Sequence, residues 1–256
     1  MQEPPAIAWH VMSRLVSGEV IVQPTRVRDA AAALLDVGRG YGLVVVNAAD
    51  THIHSLVACD RVRAGRFARA MEAALTVRLG LVGFAPAHFR PVDEQRHLRR
   101  VVPYILGQAR RHGLAEHSVE LSNLGDLVGA RERGAYTRTN LRGCLPRLGR
   151  AELLAGAGLD ALAPGSDPRF LREAALRAAC APDWRARTPD LGRARRAACR
   201  VGLELGLARS ELVRRLELDR SVIYRAVKAG PDPVFERAIR LQLGLIELGK
   251  GARLAA

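Results

Sequence analysis

The segment from Leu43 to Cys59 constrains the fold more than any other stretch of this chain. Leu43 to Asn47 is a run of β-branched residues, and His52 to Cys59 forms a second strand-like run. Only Ala48 to Thr51 separates them. A parallel pair needs a crossover of a dozen residues or more, so the two runs read as an antiparallel hairpin. The hairpin excludes an all-helical bundle.

Around the hairpin the apolar residues recur at the periods of both strand and helix. Ile7 to Arg14 alternates loosely, as a first strand does. Thr25 to Gly38 reads as a helix: Thr25 is placed to cap it, Val27, Ala31, Leu34 and Leu35 share one face, and Gly38 with Gly40 stops it. Val62 to Leu79 is helical, with Phe67, Met71, Leu75 and Leu79 spaced by four. Ala87 to Val92 reads as a fourth strand, and Asp93 to His112 as a helix ended by Gly113. Pro103 lies inside that helix and is expected to kink it or mark a restart. The order βαββαβα predicts an α+β fold, a ferredoxin-like split βαβ arrangement with one added helix.

Beyond residue 114 the pattern weakens. Short helices are expected at Leu145 to Ala155 and Pro168 to Ala181, within a connecting region that has no core of its own. A second helical unit is expected from near Leu191 to about Leu248. The expected division is therefore 1–115, a connector over 116–189, and a helical module over 190–256.

Forty basic residues against 26 acidic ones give a net charge of +14, and Lys228 and Lys250 are the only lysines. Such a balance excludes an acidic, disordered solvating chain and points to a polyanionic partner. Arginine's planar fork suits phosphates and guanine edges. The cysteines, Cys59, Cys144, Cys180 and Cys199, include no CxxC pair, so a zinc knuckle is not indicated. Nothing at the N-terminus resembles a secretory leader, and no apolar run approaches membrane-spanning length. A cytoplasmic, disulfide-free protein with no membrane partner is expected.

Two small motifs can carry chemistry. In His52-Ile53-His54, alternate strand residues share a face, so both imidazoles project together while Ile53 enters the core. Such a pair can chelate one divalent cation, although two solvated histidines on an edge strand give the same pattern. Tyr104 and Gln108 share one helix face at i,i+4. Tyrosine can act as a covalent nucleophile and a glutamine carbonyl can ligate a metal, yet Tyr104 also fits as an amphipathic packing residue. Of the other histidines, His10 or His88 could border such a site, while His97, His112 and His117 show no ligand spacing.

Taken in order, "WHVMSR", "THIHSLV" and "HFRPV…LRRVVPYILGQARRHGL" resemble the single-tyrosine HUH transposases, most closely the REP-associated tyrosine transposases and the related small insertion-sequence enzymes. The resemblance covers roughly residues 7 to 115. It implies that His52, His54 and Gln108 hold Mg²⁺ or Mn²⁺. It also implies that Tyr104 attacks single-stranded DNA beside a hairpin, leaving a 5′-phosphotyrosine link and a free 3′-hydroxyl. Arg100 and Arg111 would contact that DNA. Two positions depart from the family pattern: Asp50-Thr51 stands where a proline-asparagine pair usually precedes the histidines, and Pro103 directly precedes the tyrosine.

Leu207 to Gly230 separately reads as a helix-turn-helix. Leu212, Val213 and Leu216 would face inward, a turn follows at Glu217 to Asp219, and Asp219 or Ser221 would cap the second helix. There Val222, Ile223 and Val227 would pack, leaving Arg220, Ser221, Tyr224, Arg225 and Lys228 for a DNA groove. A plain helical hairpin with charged outer faces has the same pattern. Three functions stay open at this stage: a metal-dependent enzyme that cuts and rejoins single strands; a domesticated, non-cleaving DNA-binding regulator; or a metal-dependent hydrolase that uses the histidine pair without the tyrosine and lacks a further acidic cluster. Self-association as a homodimer is also left open.

Overall fold

A computed structural model of the chain describes residues 6–113 and 118–254, so His117 and the expected boundary at residue 115 lie outside the described residues. The protein is α+β and divides into two compact units: residues 1–128 with 134–161, and residues 129–133 with 162–256.

The first unit is built on a four-stranded antiparallel sheet of β1 (Ala8–Arg14), β2 (Leu43–Ala49), β3 (His52–Val57) and β4 (His88–Val92), in the order β2-β3-β1-β4. The hairpin is present, and its turn is Asp50-Thr51 with Asp50 at φ 54. Asp and Asn tolerate this left-handed conformation better than most residues, which accounts for an aspartate here. β3 lies between β1 and β2, and β1 lies between β3 and β4, so each β-α-β unit is split by a strand from the other.

Helices cover both sheet faces. Ile53, Ser55 and Val57 of β3, with Val11 of β1 and Val46 and Ala48 of β2, lie on the face under α1 (Val27–Gly38) and α2 (Arg61–Leu79). Phe67, Met71 and Leu75 of α2 are buried there at their four-residue spacing. Asp60 caps α2 by accepting from the Arg63 N–H at 2.8 Å, and Gly80 closes it at φ 72. Thr25, by contrast, lies in a 3-10 turn over Pro24–Arg26, and the residue at the capping position of α1, Arg26, makes no side-chain cap. A proline at residue 24 favours the tight turn over a Thr25 cap.

The opposite face meets α3 (Gln95–Leu106) and α4 (Gln108–Arg111), separated by Gly107. The single helix expected over Asp93 to His112 is thus two. The break falls at Gly107, and α3 runs on through Pro103. A Cβ on Gly156 would stand 2.8 Å from Pro103 Cβ, so α8 (Arg150–Gly156) crosses α3 closely at that proline. α5 (Ser118–Leu121), α6 (Leu124–Val128) and α7 (Tyr136–Cys144) complete the unit. Asn123 accepts from Val46 N–H and donates to Val44 O, and Asn140 donates to Leu43 O, which stitches this segment onto β2.

The second unit packs α9 (Leu171–Ala179), α10 (Pro189–Glu204), α11 (Arg209–Leu216), α12 (Arg220–Lys228) and α13 (Pro233–Leu254). Its core gathers Leu171, Leu191, Leu212, Ile223, Phe235 and Ile239. Residues 116–189 are therefore no connector. Up to Ala161 they belong with the sheet, apart from 129–133, and from Leu162 they supply core to the helical unit. Its short helices bury little each, so the weak sequence pattern concealed a shared core.

Candidate active site

β3 carries His52 and His54 on the face turned toward α3 and α4, with Ile53 fully buried on the other face. Their ring centroids lie 4.7 Å apart. The register sets His54 between Asn47 of β2 and Met12 of β1, and His52 between Ala49 and Arg14. Tyr104, near the end of α3, comes edge-on to His54 with centroids 5.5 Å apart and stands 6.0 Å from His10.

Two side chains fix the end of α3. Its last carbonyls have no intrahelical donor. Asn47 Nδ2 donates to Ile105 O at 2.9 Å and Leu106 O at 3.2 Å, and Gln108 Nε2 donates to Tyr104 O at 3.0 Å. Asn47 is wholly buried, and its Oδ1 has no hydrogen-bond partner among the described residues. Gln108 is also buried, and its side chain stands near enough to His52 to favour the protonated imidazole. With its amide nitrogen committed to Tyr104 O, the carbonyl oxygen is the atom Gln108 offers to the histidine side.

Further histidines join the pair. His10 Nε2 lies 2.9 Å from His54 Nδ1; in the tautomer in which His54 Nδ1–H donates to His10, His54 Nε2 keeps its lone pair for an external ligand. His112 packs against His52 with centroids 4.9 Å apart and stands 3.9 Å from Asp50. Burial, reinforced by Arg90 and His97, lowers His10 to about 4. Burial with the neighbouring His10, His52, His112 and Arg111 lowers His54 to about 3. His52 is lowered by burial and His112, against an opposing pull from Gln108 and Asp50. Neutral imidazoles are the form that binds metal. Among the described residues no three His, Cys, Asp or Glu side chains converge as ligands; the third donor that the family resemblance implies beside His52 and His54 is the Gln108 oxygen. That donor set, two neutral nitrogens and a carbonyl oxygen, fits a divalent cation.

The structure thus brings together His52, His54, Tyr104, Gln108 and Arg111, whose guanidinium lies 4.9 Å over the Tyr104 ring. Arg100 is exposed on α3, one turn before Tyr104. Sequence reasoning left His10 at the border and passed over His112, Asn47 and the tie of Asp50 to His112. His112 had a readable signal, since it follows Gln108 by four residues. His10 became legible only once β1 was paired with β3.

In the second unit α11 and α12 are joined by Glu217 at φ 49, Leu218 and Asp219. Arg220, Ser221, Tyr224, Arg225 and Lys228 are all exposed, Tyr224 by 59%. Inside, Ile223 pairs with Ala226, while Val222 and Val227 are only half-buried. Asp219 precedes α12 without making a side-chain cap.

Comparison with protein-family models, with curated proteins and with solved structures gives no match to this chain. No helix among the described residues is long and apolar enough to cross a membrane.

Proposed function

We propose that the first unit is a single-tyrosine HUH-type enzyme that cleaves and rejoins single-stranded DNA next to hairpins, on a ferredoxin-like frame. The observation that carries this reading is the meeting of Tyr104 with the His52/His54 pair, fifty residues away in the chain, at 5.5 Å between rings. Tyr104 Oη attacks the phosphorus and the bond to the 3′ oxygen breaks. The phenolic proton leaves and the 3′ oxygen gains one. The 5′-phosphotyrosine ester keeps the energy of the broken bond, so a second 3′-hydroxyl can reseal the strand without ATP. Mg²⁺ or Mn²⁺ on His52, His54 and the Gln108 oxygen would supply charge neutralisation at the scissile phosphate. His10 holds the His54 ring, Gln108 and Asn47 hold the turn that bears Tyr104, and Arg111 over the ring is placed to grip phosphate.

The exposed polar face of α12 supports a second reading, DNA binding without cleavage. One experiment separates them. Labelled single-stranded hairpins from the flanks of the protein's own gene are mixed with protein and Mn²⁺ or Mg²⁺, alongside Tyr104→Phe. A metal-dependent, denaturation-resistant band lost in Tyr104→Phe is the expected result. Salt-sensitive binding with no such band in either protein would establish the regulator.

A further inference from the structure

A cavity of about 580 Å³ opens at the N-terminal end of α3. Gln95, Arg96, Arg99 and Arg147 line it with the apolar Leu145, Pro146 and Leu148. Among the described residues no carboxylate lines it. Arg99 is partly offset by Glu152, 2.8 Å away, whereas Arg96 and Arg147 make no ion pair or hydrogen bond among the described residues. Like charges gathered around one cavity repel unless an anion shares it. Three guanidinium forks with apolar side chains match a phosphate joined to a flat base, which can rest on those side chains or stack on a guanidinium plane.

The cavity is also aligned with the candidate nucleophile. Arg96, Arg100 and Tyr104 stand at i, i+4 and i+8 on α3, and all three are exposed. At 1.5 Å per residue, Arg96 is about 12 Å along the helix axis from Tyr104. The row gives a strand engaged at Tyr104 a cationic path to the cavity.

We propose that this cavity binds one nucleotide of the strand on which Tyr104 acts, its phosphate on Arg96 and Arg147 and its base against Leu145, Pro146 and Leu148. The proposal rests on the single-stranded DNA reading of the Tyr104 site. Both arginines are exposed, so replacing them does not open the core.

The test uses full-length Tyr104→Phe protein, with and without Arg96→Ala/Arg147→Ala. A fluorescent single strand is shortened one nucleotide at a time from each end, and affinity is followed by anisotropy. From one end, a single shortening step should weaken binding about tenfold, and the double variant should bind the long strand with the weakened affinity and ignore that step. Equal affinity of both proteins for every length overturns the proposal. A deoxynucleoside monophosphate that binds as tightly as the long strand, and loses binding in the double variant, overturns the strand and leaves a free-nucleotide site. The catalytic reading is judged apart, by the covalent band of Tyr104-intact protein. If the band is absent while the length-dependent loss remains, that reading fails and the cavity stands. A band present without the loss sinks the cavity alone.

Discussion

At the scale of single residues, the buried histidines make stability depend on pH. His10 and His54 are lowered to about 4 and about 3, while an unfolded chain returns both to 6.5. Between those values the unfolded state takes up protons that the folded state refuses, so acid favours unfolding. Stability is full above about pH 6.5, falls as pH drops through the window, and levels off near pH 3. The slope is about 1.4 kcal/mol per pH unit for each histidine kept neutral. Urea denaturation followed by circular dichroism at pH 7, 6 and 5 should show it, and His10→Gln should reduce it. An unchanged midpoint over that range would refute the neutral pair. The four histidines also mark how far sequence could reach. His52 and His54 declare themselves because alternation along a strand is local, whereas His10 depends on which strands pair and in what register, a long-range fact.

At the scale of elements, the close crossing of α3 and α8 gives Pro103 a packing role. Its ring faces Gly156, with room for no larger residue. Gly156→Ala is expected to cost about 1–3 kcal/mol by forcing α8 away, measurable as a lower urea midpoint. The covalent DNA band should weaken with it, because α3 carries Tyr104. Asp50 gives a second test. A β-branched residue is strained at its φ of 54, so Asp50→Val should destabilise the hairpin by about 1–3 kcal/mol, while Asp50→Gly is tolerated. The hairpin, α1 and α2 were readable because each has a strong period and its own stops. The break at Gly107 was not, since Gln108 and Asn47 reach back to the last carbonyls of α3 and tertiary hydrogen bonds decide where that helix ends. The segment around α5 to α8 was misread for a related reason. Four- to nine-residue helices carry too few turns for a periodic face, and their stability comes from what they pack on: β2 for α5 and α7, α3 for α8.

At the scale of the whole molecule, the charge of +14 sets what the proposed DNA partner should show. If three or four phosphates of a single strand are neutralised, affinity should fall about twentyfold to fiftyfold between 50 and 200 mM salt. A flat response would deny a backbone-driven interface. The unit boundaries also predict which fragments fold. A protein ending at Val128 loses the α7 contacts to Leu43 O and Leu35 O and is expected to melt without cooperativity, whereas one ending at Ala161 keeps a sharp thermal transition by circular dichroism. The five residues 129–133 carry one more consequence. They belong to the helical unit, where Ala130 O accepts from Gln242 and Glu132 N–H donates to Ala178 O, yet the chain then returns to the sheet for 134–161. The polypeptide thus passes between the units three times. One proteolytic nick does not release two intact halves. Nor does a gene fusion at one junction carry the helical unit whole, since residues 129–133 stay behind, so the two units are not beads on a string.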